Sequence, residues 1–166
     1  MRILKIVIIL LVAAMGAAKA QFTKAELQVS GLNCGLCAKA TESSLKALPF
    51  ISDVKPDLMH NVYVITFKND KPVNFDEISK IVHDQAFFIS YLKATFNFDN
   101  VKLIDNYFSA QGVTFRVMNV DKPLNGAVSL TLVDKGLAPR SVTKKYMGQA
   151  NNDDPAKTGR IYHVAI

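Results

Sequence analysis

The chain has two cysteines, and both stand in one short segment, Gly31-Leu32-Asn33-Cys34-Gly35-Leu36-Cys37. Two sulfurs at this spacing can do two kinds of chemistry. As thiolates they hold a soft metal ion; as a dithiol pair they exchange a disulfide. The spacing alone does not choose between them. The flanking residues say where the pair sits. Ala25-Glu26-Leu27-Gln28-Val29 alternates like a half-buried strand, and Ala38 to Leu48 is rich in the helix formers Ala, Leu and Lys. The pair therefore falls in a strand-to-helix loop, with Cys37 in or near the first helical turn. Free N–H groups and the positive dipole end of a helix favour anions, so a thiol there is expected to ionise more readily. A three-residue step lets both sulfurs face the same way, and Gly35 is expected to ease a tight turn between them.

The elements that position this loop read off in order. Pro49 closes the first helix. A strand runs through Ile51, Val54 and Leu58, with Pro56 marking a sheet edge. Asp57-Leu58-Met59-His60-Asn61 reads as a turn, and Val62-Tyr63-Val64-Ile65-Thr66-Phe67 is the clearest strand in the chain. Ile78, Ile81 and Val82 recur at helical spacing behind Asp76 and Glu77, acidic residues suited to a first turn. Ala86 to Leu92 returns as a strand. Strand, helix, strand, strand, helix, strand is the ferredoxin-like order, with two helices on one face of an antiparallel sheet.

On these residues the segment from about Lys24 to Leu92 resembles the heavy-metal-associated domain, the family of copper chaperones and of the N-terminal metal-binding domains of copper-transporting ATPases. The family pattern is G-M-T/H-C-x-x-C; here Leu32 stands for the Met and Asn33 for the Thr or His. The family's Met points into the core, so Leu32 is expected there too. The loop before the last strand often carries Lys or an aromatic residue near the metal; here Phe87 is the match. The resemblance implies Cu(I) on Cys34 and Cys37, with other thiophilic ions (Zn, Cd, Hg) also open, and a metal-donor or acceptor protein as partner. The chemistry agrees: thiolates suit Cu(I), whereas a closed structural zinc site needs four ligands.

The other candidate donors are Met59, His60 and His83, at the same end of the sheet, and His163, in the last strand. Met59 and His60, in the turn, are copper-compatible but read first as an ordinary exposed turn. His83, late in the second helix, reads as a surface residue, and His163 as an outward-facing strand residue.

From Lys93 onward helical periodicity is lost. Ala94–Phe98, Val101–Ile104, Val113–Val117, Val128–Leu132 and Ile161–Ile166 read as strands, separated by turn residues such as Asp105-Asn106 and Gln111-Gly112. The expected fold class is α+β: a ferredoxin-like βαββαβ domain over 21–92, then a small all-β barrel or sandwich over 93–166. The polar run Gln149–Arg160 reads as a surface loop and matches no calcium-binding loop.

At the N-terminus, Arg2 and Lys5 precede an apolar run from Ile6 to Ala18, and Ala18-Lys19-Ala20 fits a small-x-small cleavage site. Residues 1–20 are expected to be a signal peptide cleaved after Ala20, too short for a span of roughly 20 apolar residues. The mature protein is then exported, periplasmic or secreted, with no membrane anchor. Losing Arg2, Lys5 and Lys19 takes three charges off the formal +6. The rest are scattered, which gives no nucleic-acid footprint. No phosphate loop, triad or paired carboxylates appear, so the expectation is no enzyme but an exported heavy-metal-binding protein that sequesters or transfers Cu(I). The alternatives are a thiol–disulfide oxidoreductase, or a partner-binding module with a redox-sensing cysteine pair.

Overall fold

The computed structural model describes residues 21–99, 101–121, 123–148 and 159–166. The expected signal peptide, 1–20, and most of the Gln149–Arg160 run lie outside the described residues.

The first six elements follow the expected order: β1 (Phe22–Ser30), α1 (Gly35–Lys46), β2 (Ile51–Asp57), β3 (Val62–Phe67), α2 (Phe75–Asp84) and β4 (Phe88–Asn97). In β1, Ala25, Leu27 and Val29 are buried while Glu26 and Ser30 face water. That alternation commits one face of the strand to the core. In α1 the buried positions Ala38, Thr41 and Leu45 form one stripe, and the Tyr63 hydroxyl donates to the Ala38 carbonyl at 3.0 Å, tying helix to sheet. Asn74 caps α2, accepting from the N–H groups of Asp76 and Glu77. Phe75, Ile78 and Val82 carry the apolar stripe of α2 inward.

Five further elements follow: β5 (Tyr107–Ala110), β6 (Val113–Val117), β7 (Ala127–Leu132), α3 (Arg140–Met147) and β8 (Ile161–Ala165). They do not make the barrel or sandwich expected for 93–166. All eight strands of the described residues form one sheet in the order β2-β3-β1-β4-β7-β8-β6-β5. The boundary expected between 92 and 93 falls inside β4. Along one edge β4 pairs with β1 from Phe22↔Phe96 to Ser30↔Phe88. Along the other, its second half pairs with β7 from Lys93↔Thr131 to Asn97↔Ala127. A four-stranded ferredoxin-like sheet would leave that second edge of β4 open, a row of unsatisfied N–H and C=O groups; β7 closes it. The strand expected at Ala94–Phe98 is thus mostly the second half of β4. Val101–Ile104 contributes only a bridge between Ile104 and Tyr107. β2 is an edge strand, as Pro56 implied.

The core is equally continuous. Phe22 of β1 packs against Phe75 of α2 at 5.1 Å between ring centroids, Phe96 of β4 at 4.9 Å and Phe115 of β6 at 5.0 Å. Phe115 in turn stacks on Phe108 and on Tyr162. Helix α3, which the sequence reading did not foresee, has no buried residue; a short helix that buries nothing carries no apolar stripe for periodicity to detect.

Tyr162 gives a measurable consequence. Its hydroxyl lies 3.3 Å from Asn74 Oδ1 and accepts from the Asp76 N–H. Burial, followed by the nearby Asp76 charge, pushes its pKa up to about 12. A pKa raised on folding means stability that is full below the unfolded value of about 10 and is lost as pH rises towards the folded one. Urea midpoints are therefore expected to fall between about pH 10 and 12, by at most about 1.4 kcal/mol per pH unit from this group. Tyr162→Phe is expected to flatten that part of the profile; an unchanged slope would refute the assignment.

Candidate metal site

The loop from β1 to α1 is shaped by three residues. Gly31 holds φ at +89°, a conformation other residues adopt only with strain. A side chain there would also meet the Phe87 ring at 3.6 Å. Phe87 thus stands beside the loop, where the resemblance put it. Leu32 then turns inward, 7% exposed, in the core role expected for the family's Met. Gly35 behaves differently from expectation. It is the first residue of α1, has no positive φ, and an added Cβ would meet nothing within 4 Å. The tight turn belongs to Gly31, one residue past the strand, and not to the glycine between the cysteines.

Cys34 is the N-cap of α1, with extended backbone, and its Sγ accepts from the Cys37 N–H at 3.1 Å. The two cysteines are joined as a disulfide, with Cα atoms 5.3 Å apart. Cys34 is exposed and Cys37 half-buried. Both sulfurs therefore sit side by side at the helix tip, as the spacing implied, in the closed redox form. Opened by two electrons and two protons, the same geometry presents two thiols against free helix N–H groups, which favour the thiolate. No group of three or more His, Cys, Asp and Glu able to hold a metal occurs among the described residues. The donor set that the loop offers is two sulfurs, which fits a soft ion of low coordination number.

The β2–β3 turn stands across from the loop. Its position is held by the Val29 N–H donating to the Asn61 carbonyl at 3.0 Å and by the Gln28 side chain donating to the His60 carbonyl at 3.1 Å. A cavity of about 210 Å³ lies between, lined by Cys34, Gly35, Leu58 and Asn61 among others. Met59 and His60 are at this end of the sheet, as expected, but do not line that cavity. Its lining is mixed, with Asn33 and Asn61 beside Leu32 and Leu58; Leu58, and Leu36 in the first turn of α1, are largely exposed.

The other two histidines belong elsewhere. His83 meets the Gly136 carbonyl at 3.0 Å, on the segment after β7, and its ring packs against Phe88. His163 does not face outward. It is 4% exposed, because both faces of β8 are covered: Tyr162 and Val164 on one, His163 and Ala165 on the other. Buried Asp134 accepts from the His163 N–H at 2.7 Å and meets the ring Nδ1 at 2.9 Å. Arg160 approaches Asp134 at 3.5 Å and makes two bonds to Asp76, at 2.9 and 3.0 Å. Hydrogen bonding from Arg160 holds the Asp76 carboxyl below the usual carboxylate range. Sequence reading missed this network because its members, on α2, after β7, and just before and within β8, lie on segments far apart in the chain that meet only in the folded structure.

Residues 26–87 match the heavy-metal-associated domain. No curated protein matches the chain. Among solved structures, the yeast copper transporter domain Ccc2a, determined in its apo and Cu(I)-loaded states, is 28% identical over 39% of this chain and 88% of that one, with a TM-score of 0.36. A copper form of CopA from Bacillus subtilis is 20% identical over 42% of this chain and 90% of that one, with a TM-score of 0.36. The N-terminal domain of the zinc(II) ATPase ZiaA, in its apo form, is 13% identical over 55% of this chain and 79% of that one, with a TM-score of 0.38.

Proposed function

We propose that this chain is an exported heavy-metal-binding protein that takes Cu(I) on the thiolates of Cys34 and Cys37, to sequester it or to pass it to a partner with soft ligands of its own. One observation carries the reading. The cysteine pair, Cys34 exposed and Cys37 half-buried, stands at the first turn of α1, inside the stretch that matches the heavy-metal-associated domain. Two sulfurs and no third acidic, histidine or cysteine donor among the described residues suit a monovalent soft ion better than zinc. Export is supported by the charged start, apolar run and Ala18-Lys19-Ala20 of the N-terminal segment. No helix among the described residues is long and apolar enough to cross a membrane.

Loading requires the dithiol, so the assay is a competition titration against a Cu(I) chelator in the presence of a thiol reductant. The wild type is expected to take one Cu(I). Cys34→Ser/Cys37→Ser is expected to lose affinity by more than the roughly 10–100-fold that outer-shell changes cost. Equal, weak binding by both proteins would end the proposal.

The closed disulfide favours one competing reading, a thiol–disulfide oxidoreductase. Thioredoxin-like sites set a Trp beside the pair and a cis-Pro opposite it. This chain has no Trp, and no cis peptide bond occurs among the described residues. Robust turnover in an insulin-reduction assay would reverse the ranking.

A further inference from the structure

We propose that Met59 and His60, on the β2–β3 turn, form a second soft-metal site that works without the cysteine sulfurs. The turn is built by Asp57. Its Oδ1 accepts from the backbone N–H groups of Met59, at 3.1 Å, and His60, at 3.3 Å. Its other oxygen, Oδ2, lies 2.7 Å from His60 Nδ1. An ionised carboxylate only accepts, so Nδ1 carries the hydrogen and the lone pair of the neutral ring is on Nε2. A carboxylate behind one imidazole nitrogen, with the other facing out, is how proteins orient a metal-ligating histidine and raise its basicity. The His60 side chain is 71% exposed, and Nε2 has no hydrogen-bond partner among the described residues. Met59 is 92% exposed. Its thioether packs against almost nothing, and its three rotatable bonds let the sulfur swing towards an ion held by the neighbouring ring. Imidazole and thioether together suit a monovalent soft ion.

Placement gives this pair a use. Leu58 and Asn61, which flank it, line the same cavity as Cys34. While Cys34 and Cys37 are joined they offer no thiolate, and among the described residues Met59 and His60 are donors that remain at that end of the sheet. An ion held there waits beside the cysteine loop until a dithiol reductant exchanges with the disulfide, leaving Cys34 and Cys37 as thiols and taking the disulfide bond itself. Binding itself does not rest on the cysteine reading; only the role as a waiting position does.

The test uses the full chain with its disulfide intact, verified by the absence of titratable thiol, and Ag(I) as a redox-inert probe. In NMR titrations the Met59 methyl and His60 ring resonances are expected to shift and to saturate at one equivalent. Met59→Leu, His60→Gln and Asp57→Asn are each expected to weaken binding by about tenfold or more, and Met59→Leu/His60→Gln to abolish it. All three positions are exposed, so amide spectra away from the turn are expected to stay unchanged. Met59→Leu and His60→Gln alter no turn hydrogen bond of the backbone and remain decisive if Asp57→Asn disturbs the turn. The proposal is overturned if the double variant binds Ag(I) like the wild type, if the shifting resonances belong to Met118, Met147 or His83, or if the disulfide form binds no Ag(I). A protein that fails here yet takes Cu(I) on its reduced cysteines would leave the proposed function standing.

Discussion

Phe115→Ala is expected to lower the unfolding free energy by about 3–5 kcal/mol, the cost of deleting a large buried aromatic side chain. The ring is 1% exposed and touches Phe22, Phe75, Phe108 and Tyr162. Those partners come from β1 and α2 on one side of the β4–β7 seam and from β5 and β8 on the other. If the sheet is one cooperative unit, the loss is felt everywhere. Urea unfolding followed by far-UV circular dichroism and by amide signals of β1 and of β7 is expected to give a single transition, shifted by the same amount at every probe. Two separated transitions, with β1 unmoved, would show instead that the appended strands fold as an independent body.

Asp134→Ala is expected to cost a similar amount, about 3–5 kcal/mol, for a different reason. Removing one member of a buried charged network strands the others. His163 would keep a buried backbone N–H and a buried ring nitrogen without their acceptor. Arg160 is 41% exposed and keeps Asp76, so water compensates most of its share. Asp134→Asn retains an acceptor oxygen in a similar shape and is expected to lose less than the alanine variant. Chemical denaturation at neutral pH, run beside His163→Ala, separates the parts. A double-mutant cycle with no coupling between Asp134 and His163 would mean that the contact seen here contributes nothing to folding.

Neither set of buried contacts is legible in the sequence. Phe115 sat in an alternating run and was correctly expected to lie in a strand, but its neighbours on the other half of the chain could not be known. His163 was read by strand alternation as facing water. That rule assumes one wet face, and it fails where a strand is covered on both sides. α3 buries nothing, so no periodic signal announced it. Met59 and His60 could be placed at the cysteine end from the order of elements, yet Asp57 as the residue that aims His60 required the turn's own geometry. An Asp three positions before a His inside a turn was the available signal, since Asp side chains cap turn N–H groups.

By itself the sequence determined the cysteine pair at a helix start and the βαββαβ order around it, while the inward Leu32 and the Phe87 beside the loop were expectations of the family resemblance. The first two rest on a periodicity of 2 or 3.6 and on the residues that begin a helix, and such signals are local. Tertiary structure alone decided that β4 serves two partners, that the second half extends the first sheet rather than closing on itself, and that Asp134, His163, Arg160 and Asp76 meet. The physical reason is the open edge of β4. Its backbone groups need partners, but any strand of suitable length can supply them, and only the folded chain selects β7.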